Sequence, residues 1–191
     1  MQKGHLFFIM GVSGSGKGTL RENLTNAEWA NLEFVLSYVT RDMRPWEVSW
    51  DKYHFISEES FLSGAKKWDF LEYEWVHKAG YYGTKRDEIL DWISDGKILL
   101  KEIETKWLKQ IIHSHPEFRK NFTSLFLDVQ NEEMVRRYLE RHPDGNKSDI
   151  HNRLESSNHE REDAKKYCDY IIDASQSPEK VLSDVLQIMR V

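Results

Sequence analysis

The stretch Phe7–Leu20, FFIMGVSGSGKGTL, constrains this chain more than any other. The apolar run Leu6–Met10 ends at Gly11, three more glycines follow (Gly14, Gly16, Gly18), and Thr19–Leu24 carries a helical pattern. That succession is strand, phosphate-binding loop, helix. The loop residues Gly11, Val12, Ser13, Gly14, Ser15, Gly16, Lys17, Gly18 and Thr19 must turn backbone N–H groups inward around an anion, and a Cβ would obstruct both the dihedrals and the close approach. The helix aims its positive N-terminal end at the same anion. Lys17 adds a mobile charge suited to β- and γ-phosphates. A glycine-rich turn with no ligand is the bland alternative.

The pattern G-x-x-x-x-G-K-[ST] is complete from Gly11 to Lys17, but Gly18 stands where a Ser or Thr belongs and Thr19 follows it. The variant G-K-G-T resembles the adenylate kinase form of the loop. With no hydroxyl at that position the expected Mg²⁺ has no direct protein ligand and is held by phosphates and water.

A chain of 191 residues is one domain, or one core with insertions. No window approaches the apolar length of a membrane span, and Met1–His5 leads straight into a strand, so a cytoplasmic protein is expected. The single cysteine, Cys168, excludes an internal disulfide and a cysteine-based zinc site; it is expected to pack as a small hydrophobe. A net charge of −5 argues against nucleic acid as a partner, because backbone phosphates want a basic face.

Further along, the helix after the loop is expected to run to about Ala30, and Leu32–Thr40 reads as one strand. Arg41 and Arg44, three apart before Pro45, offer guanidinium forks suited to phosphate, though such a pair alone is more often a solvated surface. Lys52–Phe55 alternates like a strand, Ser57 caps a helix, and Phe70–Val76 and Tyr81–Gly83 bracket Lys78-Ala79-Gly80 as a hairpin. The rings of Phe61, Trp68 and Trp75 are expected to form a small core. Next come a helix Arg86–Asp95 closed by Gly96, a strand Lys97–Glu104, a helix Thr105–His113 and a buried-type strand Thr123–Val129. His113 and His115 read as a helix end before Pro116 in preference to metal ligands. Helices Glu132–His142 and Ser148–Lys166 flank a polar turn, and a short strand Tyr170–Asp173 precedes a last helix opened by Ser177-Pro178.

The order and spacing of Ser37-x-x-x-Arg41-x-x-Arg44-Pro45-x-Glu47, Asp51–Phe55, Phe70-Leu71-Glu72 and Tyr81-Tyr82-Gly83-Thr84, together with the loop, resemble the guanylate kinase family over essentially the whole chain. The resemblance implies an α/β, three-layer P-loop nucleoside monophosphate kinase fold with a mainly parallel central sheet. It further implies a core (1–36, 85–136, 155–191), a strand-rich acceptor-binding insertion (37–84) and a helical lid (137–154). It implies ATP on Gly11–Thr19, the GMP phosphate on Arg41, Arg44, Tyr53 and Tyr82, and the guanine edge on Ser37, Glu72 and Thr84. Glu102 and Glu104 align with two family aspartates near acceptor and metal, Glu102 among the GMP contacts and either one reaching Mg²⁺ through water. Lys17, Arg41 and the lid arginines Arg137, Arg141 and Arg153 are the implied catalytic charges. Lys106, Trp107, Trp46, Trp50 and Asp173 depart from the family pattern.

The expected reaction is ATP + GMP = ADP + GDP, by positioning and charge neutralisation, with closure excluding water. Rival readings are a kinase of another phosphorylated acceptor such as a ribose bisphosphate, and a non-catalytic phosphopeptide-binding module.

Overall fold

The computed structural model describes residues 4–26, 31–45, 47–48, 53–76 and 79–189. Expectations that fall on Ala27–Ala30, Trp46, Trp50, Asp51, Lys52 and Lys78 lie outside them. The strands form two sheets, one of order β2 (Leu32–Phe34), β7 (Ile98–Glu102), β1 (His5–Gly11), β8 (Phe122–Asp128), β9 (Tyr170–Asp173) and one of order β4 (Tyr53–Phe55), β3 (Ser37–Val39), β6 (Gly80–Lys85), β5 (Phe70–Val76). The chain divides into two compact units, Met1–Leu6, Asn31–Lys101 and Gln110–Asn121 forming one, Phe7–Ala30, Glu102–Lys109 and Phe122–Val191 the other.

In the second unit, which takes β1 (His5–Gly11) from Phe7 onward, β1 and β8 (Phe122–Asp128) are mostly apolar and buried nearly end to end, as befits strands covered on both faces. β9 (Tyr170–Asp173) pairs parallel to β8 from Leu125↔Tyr170 to Asp128↔Asp173. α1 (Lys17–Asn26) buries Leu20 and Leu24 and packs on α7 (Pro178–Met189), whose inner stripe is Val181, Val185 and Met189. α7 starts as its sequence dictates, with proline in first place and Ser177 Oγ accepting from Lys180 N–H at 3.3 Å. α4 (Thr105–Ser114) follows β7, and the helix pair α5 (Asn131–Arg141) and α6 (Lys147–Tyr167) follows β8. Asn146 caps α6 by accepting from Asp149 N–H at 2.9 Å.

In the first unit, the single strand expected over Leu32–Thr40 is two. β2 (Leu32–Phe34) pairs parallel with β7 (Ile98–Glu102), and Val35 N–H still donates to Leu100 O at 2.9 Å; the chain then leaves that ladder and joins the other sheet as β3 (Ser37–Val39). β7 is also shorter than the Lys97–Glu104 expected. β3 pairs parallel with β4 (Tyr53–Phe55) and antiparallel with β6 (Gly80–Lys85), which forms the expected hairpin with β5 (Phe70–Val76).

The two faces of this four-stranded sheet have different tasks. Phe61 of α2 (Glu58–Lys66) stacks on Phe70 at 4.3 Å and on Tyr81 at 5.3 Å, over Gly83; a Cβ there would come within 2.9 Å of the Phe61 ring. A register shift between Phe70 and Glu72 turns Phe70 to the α2 face while leaving Glu72 on the other. The expected aromatic core holds for Phe61 but not for Trp68 or Trp75, which are 68% and 50% exposed. Trp68 lies past the end of α2 at φ +63°, and Trp75 meets Tyr81 at 4.8 Å. α3 (Arg86–Ser94) ends as expected at Gly96, φ +79°, whose N–H donates to Ile93 O.

Among the described residues no helix is long and apolar enough to cross a membrane, and no group of three or more His, Cys, Asp or Glu side chains could hold a metal ion.

Candidate functional site

In the second unit the loop after β1 opens on a cavity of about 590 Å³, within the size range of ligand pockets. Residues Gly14–Leu20 form one wall, Glu102, Arg136, Arg137 and Arg141 stand around it, and Gln176 with the apolar Ala174, Pro178 and Val181 completes the lining. Gly14 and Gly16 sit at φ +79° and +90°, where a side chain would be strained, and a Cβ at Gly14 would also lie 3.2 Å from Arg141 Nη2. Gly18 has open space in place of a Cβ, so backbone geometry does not require that departure from Ser or Thr. Ser15 Oγ is buried without a hydrogen-bond partner among the described residues, at the centre of the loop.

Lys17 Nζ donates to Gly11 O at 2.6 Å and Val12 O at 3.3 Å. Burial lowers its pKa, and the carboxylates of Glu160, Glu102 and Glu104 pull the other way. Burial in turn raises the Glu160 pKa. Sequence reasoning missed Glu160, although a signal exists: Arg153, Ser157, Glu160 and Ala164 follow helical spacing, and Ser157 and Ala164 mark the buried side of α6.

The three expected lid arginines all come to the loop. Arg137 donates to Gly14 O at 3.0 Å and to Ala174 O at 3.2 Å, anchored by Glu133 at 2.6 Å. Arg141 Nε bonds Arg137 O at 3.1 Å. Arg153 donates to Ser13 Oγ at 2.6 Å, with its guanidinium 4.5 Å from the Tyr138 ring centroid. The base of α6 is fixed by Arg161, which donates to Asp128 at 2.7 Å and to Val129 O at 2.5 Å. Glu102 is placed on this cavity wall, and Glu104 is exposed, 3.2 Å from Lys106.

The remaining expected site residues lie in the first unit, on the sheet face away from α2. Ser37 opposes Tyr53, the β3–β6 register continues from Tyr38↔Gly83 to Ser37 beside Thr84, and Thr84 opposes Glu72. Directly paired residues share a face, so Tyr53, Ser37, Thr84 and Glu72 form one row across four strands, with Tyr82 two residues along from Thr84. Glu72 and Thr84 are each 1% exposed, and the Thr84 hydroxyl donates to Glu72 Oε1.

Arg41 stands at one end of this face, with Tyr53 and Phe55 ring centroids 5.1 and 5.2 Å from its guanidinium carbon and Tyr82 Oη accepting from its Nε at 2.9 Å. Its fork grips Glu47 through two bonds of 2.6 Å, holding that carboxyl down at about 2, while Arg44 N–H also donates to Glu47 at 2.9 Å. Nη1 is further engaged by Asp42 O. Among the described residues this leaves one N–H of Nη2 for a phosphate, so Glu47 sets how Arg41 can present itself. The Arg44 side chain is exposed.

A glycine loop between a buried parallel strand and a helix, with basic side chains gathered over it, defines a phosphate-loop α/β protein. The guanylate kinase family model matches residues 3–190, and the chain belongs to that family. It is 34% identical to a guanylate kinase of Wolinella succinogenes over 137 residues, 72% of this chain and 61% of that one. It is 37% identical to one of Clostridium tetani over 117 residues, 61% and 55% of the two chains. With one of Helicobacter pylori it shares 32% identity over 182 residues, 94% and 85%. The matches thus span less than two thirds of the first two relatives and most of the third. The crystal structure of guanylate kinase from Anaplasma phagocytophilum has the same fold, with a TM-score of 0.69 at 22% identity over 99% of this chain and 86% of that one.

Proposed function

We propose that the chain transfers the γ-phosphoryl group of ATP to GMP, giving ADP and GDP, as a cytoplasmic enzyme of purine nucleotide metabolism. Its relatives carry the name guanylate kinase. The observation that carries the reading is the row Ser37–Thr84–Glu72: a buried carboxylate, acceptor-only, backed by a hydroxyl. Guanine offers N1–H and the 2-amino group as adjacent donors, which match two carboxylate oxygens. Arg41, Arg44, Tyr53 and Tyr82 supply donors for the dianionic GMP phosphate.

ATP binds on Gly11–Thr19, where the orphaned Ser15 hydroxyl and the inward loop suit phosphate oxygens. Lys17, Arg137, Arg141 and Arg153 neutralise charge on the transferring group, and little covalent chemistry is asked of the protein. Glu102 on the cavity wall fits a Mg²⁺ carried mainly by phosphates and reached through water, by Glu102 or Glu104. Such an ion supplies further charge neutralisation. The acidic net charge speaks against a nucleic-acid partner.

A coupled assay of ATP and Mg²⁺ with GMP, IMP, AMP, CMP and a ribose bisphosphate tests the reading. GMP should be the best acceptor. Transfer to the bisphosphate alone, or no ATP binding by calorimetry, would overturn it in favour of a different kinase or a non-catalytic module.

A further inference from the structure

Lys101 lies in β7 within the run Ile98-Leu99-Leu100-Lys101 and is only 2% exposed. A lysine is a costly filler for a buried strand, since its head must be desolvated and given polar contacts. Its ammonium is held at 3.0 Å from Ser37 Oγ and 3.4 Å from Val35 O. Ser37 belongs to the row that also holds Thr84 and Glu72.

The hydrogen-bond directions along this row are unequal. Thr84 gives its hydroxyl hydrogen to Glu72, whereas Ser37 accepts from Lys101 and so keeps its own hydrogen to give. The row therefore presents acceptors at the Glu72 end and a charge-backed donor at the Ser37 end. A guanine edge has the complementary order: the 2-amino group and N1–H donate, and O6 accepts. Adenine puts an acceptor at N1 and donors on the 6-amino group, so it meets like with like at both ends.

We infer that Lys101, acting through Ser37, reads the 6-oxo group of the acceptor purine, making it a specificity-determining positioning residue separate from Glu72. The inference rests on the acceptor reading proposed above and adds to it. Glu72 separates GMP from IMP, because only GMP has the 2-amino group. Lys101 treats those two alike, because both carry O6, and discriminates only against the 6-amino purine.

The test is kcat/KM for GMP, IMP and AMP in wild type and in Lys101→Met, which keeps the volume and removes the charge. GMP and IMP should fall together by roughly ten- to a hundredfold, the scale of one charge-assisted hydrogen bond, with AMP unchanged or improved. The ratio of GMP to IMP stays fixed while that of GMP to AMP shrinks. Lys101→Arg, which retains a cationic donor, should restore part of the loss. If Lys101→Met does not melt cooperatively, Lys101→Gln should give the same pattern at smaller size. Equal losses for all three acceptors would make Lys101 merely structural, and a loss confined to GMP would put it at the Glu72 end; either result overturns the inference. A wild type that phosphorylates no guanine nucleotide would instead refute the acceptor reading itself.

Discussion

Lys17 spans two tasks, since its ammonium bonds the loop's own carbonyls at Gly11 and Val12 while it faces the cavity. Lys17→Met should keep the circular dichroism and melting curve of the wild type and lose roughly 10² to 10³ in kcat, the scale for removing one preorganised charge-stabilising donor. Turnover near wild type would remove the loop from the chemistry. At the other site, Glu72 is the buried acceptor, and a site built around a buried polar partner rejects a mismatched ligand by roughly 10⁴ or more. The order of kcat/KM should be GMP, IMP, AMP. Glu72→Gln should compress it, because an amide brings a donor where an acceptor is wanted; an unaltered order would mean that Glu72 does not read the base. The phosphate-loop motif pointed to Lys17 in the sequence, whereas Glu72 was singled out only through the resemblance to the guanylate kinase family. What spacing could not give was pairing: Arg41 and Glu47 are six apart with no helix between them, and only the folded chain shows the guanidinium spending its fork on that carboxylate.

Among the elements, α6 carries Arg153 to Ser13 and is itself anchored through Arg161 at the end of β8. Arg153→Ala should lower kcat by about 10³ to 10⁵, the scale of arginines that meet a transferring phosphoryl group, with GMP affinity by calorimetry hardly changed. A collapse of GMP affinity with kcat intact would assign it to the acceptor instead. In the segment after β3, the Glu47 carboxyl is held near 2 against an ordinary 4.5, first by the side-chain hydrogen bonds from Arg41 and then by the Arg44 backbone. A depressed folded pKa contributes stability that is complete above about 4.5 and lost as pH falls toward 2. The melting temperature of wild type should therefore exceed that of Glu47→Gln at pH 6, with the gap closing between pH 4.5 and 2.5; a constant gap would mean the pair does not titrate in that window. Helix starts and the hairpin were readable because caps, prolines and glycines punctuate them. The break between β2 and β3 was not, because Leu32–Thr40 contains no such punctuation and only the competing ladders of two sheets divide it. Trp68 and Trp75 were misjudged because ring size predicts burial only where something covers the ring, and Phe61 of α2 lies over Phe70 and Tyr81.

For the molecule as a whole, the expected ATP contacts lie in the second compact unit together with Glu102, and the other expected GMP contacts lie in the first. Hydrogen exchange followed by mass spectrometry should show GMP slowing amides of β3, β5 and β6, and a non-hydrolysable ATP analogue slowing residues 11–19 and the ends of α5 and α6. Protection by GMP confined to the glycine loop would contradict the assignment of acceptor to the first unit.

The row Tyr53, Ser37, Thr84 and Glu72 is laid out by backbone ladders, while its meaning is written in side chains. A lineage can therefore rewrite the message one letter at a time, trading a hydroxyl here or a carboxylate there, without disturbing a single rung. Insertion or deletion of one residue within β6 is a different kind of event. It would bring Tyr81 and Gly83 to the face now held by Tyr82 and Thr84, and strike out all of β6's letters at once. Substitution on this face leaves every ladder standing, whereas a change in the length of β6 turns its side chains over unless a bulge such as the one between Phe70 and Glu72 absorbs it.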